Sequence, residues 1–393
     1  MHHLKGIDVL DYSDNGYSGK AIKVGAGVQF FDVNAVAHGN GLVIVGVQCP
    51  SVGIAGGYTQ GGGHSTLSSR FGLGADQALE WEVIDGQGRF LRASPKENSD
   101  LYWAISGGGG GTYGVVWSLT VRAHPESYTT GASLLFMRNN VSEDIYYEAI
   151  KQYQASLPTI VDAGAWSSGA FTNTTFFLTL IGYGLHAAEV EALMDPIKSN
   201  LTHLNIAFSS QIMEYPSWNE TVGAFGGEVQ VGVAQYGGWL IPRSVIMNQN
   251  SDLISAYRNI TNAGAAVVGF AMKPVMRNNV RNSVLPAWRE TLIDTVVALP
   301  WDNTAPWTNE IEAQRKITNE LIPKLARLAP RSGAYLNEAD PNQPDWQRAF
   351  YGSNYEKLKR IKSRYDPNGL FYALGAVGSE NWVQQNDGRL CRF

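Results

Sequence analysis

Residues 49–65 read Cys49-Pro50-Ser51-Val52-Gly53-Ile54-Ala55-Gly56-Gly57-Tyr58-Thr59-Gln60-Gly61-Gly62-Gly63-His64-Ser65, with six glycines and one of the chain's two cysteines. Such a run does chemistry through its backbone. Glycine accepts φ > 0 and lets amides come close to a ligand, and successive N–H groups form a concavity for a flat anionic group. The cysteine would set a thiol in that wall, and a thiolate is a strong nucleophile once a dipole or cation lowers its pKa. A second run, Gly107–Gly111, leads into Gly109-Gly110-Gly111-Thr112-Tyr113-Gly114, which satisfies G-x-G-x-x-G. The dinucleotide fingerprint needs a helix next. Here Val115-Val116-Trp117-Ser118-Leu119-Thr120-Val121 alternates as a strand, so that motif's mechanism fails. Two glycine runs entering β or turn structure fit either tight corners alone or a flavin site in which loop amides meet the phosphates and the ring. No metal is expected: HExxH and cysteine–histidine clusters are absent, and His64 stands apart from other ligand types. Ser65 lacks the G-x-S-x-G elbow of a hydrolase.

The elements that must position these residues follow from pattern. Ala21–Val28 and Gly41–Val47 read as strands around a helical turn at Phe31–His38. Ala78–Ile84 and Arg89–Ala93 flank Asp85-Gly86-Gln87-Gly88 as a hairpin. Asp100–Ser106 reads as a short helix and Val115–Ala123 as a strand. Beyond these, Asp144–Ala155, Ala187–Leu201, Ser251–Asn262, Asn309–Leu328 and Trp346–Arg364 have helical spacing, and Ala170–Gly182, Tyr236–Ile241 and Ala265–Met272 read as strands. Strands and helices in one block predict a sheet with helices on one face.

At 393 residues with 44% hydrophobic and 17% charged residues, the chain suits a two-domain globular protein. A net charge of -5 argues against nucleic acid or an anionic membrane as partner. No apolar run reaches spanning length. Five N-x-Ser/Thr sequons, at Asn140, Asn173, Asn200, Asn219 and Asn259, cluster in the middle third and point to secretion.

Together, Cys49–Gly53, Gly56–Ser65 and Arg70-Phe71-Gly72-Leu73-Gly74-Ala75-Asp76 resemble the flavin-binding core of the berberine-bridge-enzyme-like oxidases, in the vanillyl-alcohol-oxidase superfamily of FAD-linked oxidases. Asn98–Ala104 with Ser106–Val115, and the C-terminal Tyr351–Tyr355, Arg364–Phe371 and Gly378–Glu380, match further segments of that family. The resemblance implies an α+β fold: part of a PCMH-type FAD-binding domain (1–125), a substrate domain of antiparallel sheet covered by helices (126–345), and a helix and tail (346–393) returning to the first domain. It implies FAD held by Cys49, Pro50, Ser51, Val52, Gly53, Gly56, Gly57, Tyr58, Gly61, Gly62, His64, Ser65, Gly110, Gly111, Tyr113, Gly114, Val115 and Val116, with Cys49 bonded to C6 of the flavin ring; Tyr58 and Tyr113 either border the ring or pack a corner. The opening Met1-His2-His3-Leu4-Lys5-Gly6-Ile7 resembles a point beyond the family's pyrophosphate loop, so the first half of the cofactor domain is expected to be absent.

An oxidase of this type needs a base for the proton of a substrate hydroxyl. Ala334-Tyr335-Leu336-Asn337-Glu338-Ala339-Asp340 resembles the family's Tyr-x-Asn-Tyr-x-Asp strand, with Glu338 in place of a tyrosine that is catalytic in some relatives. Glu338 is then either the base or a solvated turn residue, and Tyr335 and Asn337 join it as candidates. Asp294, between Leu292 and Val296 on one strand face, is either a second base with a raised pKa or a surface aspartate. Trp288 and Arg289 line a substrate pocket or merely pack. The activity expected is a monomeric, extracellular, FAD-dependent oxidase passing hydride from a carbohydrate or secondary-metabolite alcohol to flavin and then to O2, giving H2O2. The competing expectation is a non-catalytic scaffold that does not bind FAD.

Overall fold

A computed structural model of the chain describes residues 1–14, 16–225, 232–275, 281–385 and 387–392. Its first part carries β1 (Ile7–Asp14), β2 (Tyr17–Gly25), α1 (Phe30–Gly39), β3 (Leu42–Val43), α2 (Ser68–Phe71), β4 (Ala78–Asp85), β5 (Phe90–Ala93), α3 (Ser99–Ile105), β6 (Gly114–Arg122) and β7 (His124–Pro125). Five of these strands form an antiparallel sheet in the order β1-β2-β6-β4-β5, and β3 pairs with β7. The β4–β5 turn closes because the Asp85 carboxylate accepts the amides of Gln87 (2.9 Å) and Arg89 (3.0 Å), while Gly88 takes φ +77°. The first glycine run lies on the loop between β3 and α2, the second on the loop between α3 and β6.

Next come β8 (Thr129–Met137), α4 (Glu143–Asp162), β9 (Trp166–Phe171), β10 (Thr175–Tyr183), α5 (Ala187–His203), β11 (Phe208–Tyr215), α6 (Trp218–Phe225), β12 (Ala234–Pro242), α7 (Arg243–Asn262), β13 (Ala266–Ala271) and β14 (Thr291–Pro300). Their strands make one antiparallel sheet, β11-β8-β10-β9-β13-β14-β12. Helices α4, α5 and α7 pack side by side over one face. On α4 the buried Tyr146, Ile150, Tyr153, Leu157 and Ile160 recur at steps of four and three, the stripe a sheet-covering helix requires, and Tyr153 bonds Ser167 of β9 at 3.1 Å.

The last part holds α8 (Trp307–Lys316), α9 (Ile322–Leu328), α10 (Tyr355–Tyr365), β15 (Trp382–Gln384) and β16 (Leu390–Arg392). Helix α10 returns to the first sheet. Lys362 Nζ donates to Thr112 O (2.8 Å) and Phe371 O (2.9 Å) and pairs with Asp366 (2.8 Å). Arg364 and Tyr365 reach Asp100 of α3, each at 2.8 Å.

Several expectations are corrected. The strand expected over Ala170–Gly182 is the hairpin β9–β10, because Thr172 Oγ1 accepts the amides of Thr174 and Thr175 and turns the chain. Gly41–Val47 is a strand only at Leu42–Val43, where β7 supplies a partner. The helix expected over Trp346–Arg364 is interrupted at Gly352, φ +56°, and Asn309–Leu328 passes through a wide turn at Ile317–Leu321. Strands β8 and β11 were not expected; β14 was expected only as the strand face around Asp294, and it is buried on both faces and shows no alternation. Among the described residues, no helix is long and apolar enough to cross a membrane.

The Lys362–Asp366 pair is buried, with the Asp366 side chain fully covered. Removing one partner strands the other charge. Lys362→Met should therefore destabilise the fold by about 3 kcal/mol in urea unfolding, and adding Asp366→Asn should recover part of that loss.

Candidate active site

The two glycine runs cross at Gln60. Its carbonyl accepts the amides of Gly107 (3.0 Å) and Gly109 (2.8 Å), and a Cβ on Gly110 would lie 3.1 Å from Gly57 Cα. The backbones therefore touch where only glycine fits. Around this crossing the wall is open: a Cβ on Gly56 or Gly111 would meet nothing within 4 Å. Among the described residues, the amides of Gly110, Gly111 and Thr112 have no acceptor. The Cys49–Gly53 segment is fixed against the start of α1 by Phe31 N to Pro50 O (3.1 Å), Phe30 N to Val52 O (2.8 Å) and Gln29 Nε2 to Ser51 O (2.7 Å); Gly53 bridges to Gln29. Cys49 is half-buried, its Sγ 3.5 Å from Ser51 Oγ. No disulfide joins it to Cys391, which is exposed on β16. Open glycine faces and spare amides are the surface a flat, anionic cofactor requires, so these residues fit FAD.

Other members of the expected cofactor wall also make packing contacts within the chain. The Tyr58 ring lies under Gly63 and Gly74 and its hydroxyl bonds His64 O at 3.0 Å. Tyr113 is buried and bonds Gly108 O at 3.3 Å. Ser65 shapes a turn, accepting the Leu67 amide at 3.2 Å. Val116 points into the core, Val115 lies exposed on the other strand face, and Gly114 packs under Val83 and Ile84. Gly61 gives room to the Asn337 amide, and Gly62, φ +117°, faces Val284 and Tyr335.

Sequence spacing leaves His64 isolated; the fold does not. His64 Nε2 lies 3.0 Å from Glu338 Oε1, and one donor atom each from His64, Asp294 and Glu338 lie within 4.8 Å of one another. Three rings hold the imidazole: Phe270 stacks at 5.0 Å, Trp288 at 6.3 Å, and Tyr335 meets it edge-on at 5.5 Å. Glu338 sits in a turn rather than the expected strand, because its amide bonds back to Tyr335 O at 3.0 Å. Its carboxylate is partly exposed, so it is both a turn residue and part of the cluster. Asp294 is no surface residue: it is fully buried, and neither carboxylate oxygen has a partner among the described residues.

The electrostatics follow from that burial. Desolvation, then the Glu338 charge, raises the Asp294 pKa to about 8, and His64 opposes the rise. For His64, burial favours the neutral ring, but the Glu338 charge and hydrogen bond, with Asp294, hold the pKa above its ordinary value. Near neutral pH Asp294 is thus protonated, and His64 holds its proton more tightly than a free imidazole does. Burial also pushes the Tyr335 phenol well up, so it stays protonated. Asn337 links the site to the cofactor wall, donating to Gly57 O (2.9 Å) and Tyr335 Oη (2.7 Å). Arg289 clamps Asp76 with bonds of 2.8 and 2.7 Å, which fixes its role as an anchor for the Gly72–Asp76 corner. One imidazole with two carboxylates is also a donor set that can hold a divalent cation.

Comparison with known proteins agrees with this geometry. Residues 1–94 match the "FAD binding domain" family and residues 334–377 match "Berberine and berberine like". The chain is 45% identical to the FAD-linked oxidoreductase ZEB1 of Gibberella zeae, over its whole length and 70% of that protein. It is 44% identical to the FAD-linked oxidoreductase patO of Penicillium expansum, again over 70% of the relative. The crystal structure of the VAO-type flavoprotein MtVAO615 from Myceliophthora thermophila superposes with a TM-score of 0.94 at 36% identity, covering all of this chain and 73% of that one.

Lys362, Asp76 and Phe270 were not singled out by the sequence, though Lys362 and Asp366 do stand at the i, i+4 spacing of a helical ion pair. The crossing of the glycine runs has a direct test. Gly110→Ala should force the runs apart and weaken FAD affinity at least tenfold in a flavin-fluorescence titration, with a small change in Tm, since only the loop contact is overpacked.

Proposed function

Starting from a chain that belongs to the FAD-linked oxidoreductases of the berberine-like, VAO type, we propose an oxidase that converts a small-molecule alcohol to the carbonyl compound while O2 becomes H2O2. When bound, FAD supplies the two-electron acceptor, taking hydride from the substrate carbon and returning the electrons to O2. The observation that carries this reading is the buried, unpartnered Asp294 carboxyl beside the His64–Glu338 pair. Glu338, at the open edge, meets the substrate hydroxyl and accepts its proton. His64 Nε2, 3.0 Å from that carboxylate, holds it in place. Asp294 keeps a second proton site in the dry interior, its proton affinity set by burial and by the charges of Glu338 and His64. Proton affinity near the working pH is what general-base catalysis favours. Tyr335 and Asn337 orient the turn that carries Glu338.

The cofactor wall is read as Cys49–Gly53 with Gly56, Gly57, Gly110 and Gly111. The Cys49 thiol is proposed to bond the flavin ring covalently. If so, acid-precipitated protein stays yellow and the peptide containing Cys49 fluoresces as a flavin; Cys49→Ser should release the cofactor on precipitation. Colourless wild-type precipitate would refute the tether. The sequons at Asn140 and Asn259 are exposed and support a secreted, glycosylated protein as part of the same reading.

The pH dependence tests the cluster. Asp294 has its folded pKa raised from the unfolded value, so its contribution to stability is complete below about 4 and is lost as pH rises through about 8. Activity moves the other way: log kcat/KM should climb to a plateau as the cluster loses its proton near pH 8. Asp294→Asn should remove that limb and should gain stability relative to wild type at alkaline pH. Glu338→Gln should lower kcat about 10²- to 10⁴-fold and move any remaining limb to lower pH, because the charge that helps raise Asp294 is gone. An unchanged limb in Asp294→Asn would overturn the assignment.

A further inference from the structure

The face of the seven-stranded sheet turned away from α4, α5 and α7 carries side chains in straight rows. Gln211, Ser133, Thr179, Ser168, Phe270 and Asp294 are successive cross-strand partners from β11 through β8, β10, β9 and β13 to β14. One row runs beside it on each side. Met213, Gly131, Ile181 and Trp166 form the first. It is sealed at Trp166 and Ile181, which join the cluster of Trp288 and Tyr335, and at Gly131, where the Phe225 ring leaves no room for a side chain. Leu135, Phe177, Ala170 and Val268 form the second, and it is open: Phe177 is 44% exposed and the others are half-buried.

The polar row therefore lies along the foot of a wall, with an apolar strip on its outer side. Among the described residues, the hydroxyls of Ser133, Ser168 and Thr179 and the amide of Gln211 have no hydrogen-bond partner. They stand at strand spacing, so the row runs about 24 Å from β14 to β11. Beyond Leu135 the strip ends in a depression of about 240 Å³ lined by Leu135, Met137, Asn139, Ala207 and Ser209. Apart from Asp294, neither row holds a charged residue. Sugar chains present hydroxyls on every side and call for many two-pronged side chains such as Asn, Gln, Asp or Glu; within these two rows Gln211 and Asp294 alone are of that kind. A line of hydroxyls along an aliphatic strip suits a different molecule.

We propose that this face is the substrate platform, and that it takes an uncharged, elongated, mainly apolar molecule with oxygens along one edge, its reactive end at the Glu338–His64–Asp294 cluster. The proposal rests on the reading of that cluster as the reaction centre and names the substrate class it serves. Continuity decides the placement, since the hydroxyl row is collinear with the unpartnered Asp294 carboxyl.

The test is titration of the FAD-loaded full chain with unbranched primary alcohols from butanol to tetradecanol, and in parallel with glucose oligomers up to cellopentaose. Perturbation of the flavin absorbance gives Kd. The alcohols should tighten roughly two- to fourfold per methylene and then level off once the chain spans the sheet. A mid-chain hydroxyl should tighten binding further in wild type but not in Thr179→Val. Phe177→Ser, a surface substitution, should flatten the length dependence, with the melting temperature read alongside. A Kd independent of length, no perturbation by either series, or tightening by the glucose series alone would overturn the platform. The cluster fails separately: Glu338→Gln that turns substrate over as fast as wild type sinks the proton acceptor while leaving the length dependence intact.

Discussion

Gln60 O receiving the amides of Gly107 and Gly109 is the contact on which the rest depends. It brings the loop before α2 and the loop before β6 to backbone distance, and Gly110 could not lie against Gly57 if it carried a Cβ. Once they meet, the chain on either side has little freedom. The first run continues into His64, the second into β6, and the spare amides of Gly110, Gly111 and Thr112 face outward beside the crossing. From the other side, Lys362 holds Thr112 O at 2.8 Å, so the C-terminal helix supports the same corner.

That corner also decides where a proton can be kept. Asn337 donates to Gly57 O and thereby fixes the turn bearing Glu338 to the cofactor wall. The turn then faces His64, and His64 faces β14, the strand next to the sheet's edge. Asp294 pays for its position with a fully desolvated carboxyl, which favours the protonated form. The cluster remains tolerable because Glu338 bonds the imidazole at 3.0 Å and the carboxyl behind them is protonated. Three aromatic rings around the imidazole leave it one polar direction, toward the two carboxyls.

The sequence showed the parts of this arrangement that are local. Consecutive glycines around Cys49, the Asp85–Gly88 hairpin and the stripe of α4 all declare themselves within a few residues. Glu338 and Asp294 were also legible as candidates, but their alternatives could not be separated, since burial of Asp294 depends on β12 and β13 flanking it. What stayed hidden is non-local. His64 and Glu338 are 274 positions apart, and nothing in either neighbourhood marks the other. The twin role of glycine was equally obscure: Gly56 and Gly111 open a surface while Gly63 and Gly74 merely accommodate the Tyr58 ring, and only the fold distinguishes them.

The sheet completes the division of labour by using its two faces differently. On the helix side, hydroxyls are spent within the protein: Ser167 on Tyr153 and on Thr179 O, Tyr257 on Thr295. One residue further along each strand the side chains point to the opposite face, and there Ser168 and Thr179 keep their hydroxyls unspent. Because strand side chains alternate with period two, a run such as Ser167-Ser168 serves packing and recognition at once. A polar residue on the packed face needs an internal partner, whereas one on the open face stays soluble without it. The row that ends at Asp294 is thus chemically distinct from its neighbours one residue away, although sequence composition makes no difference between them.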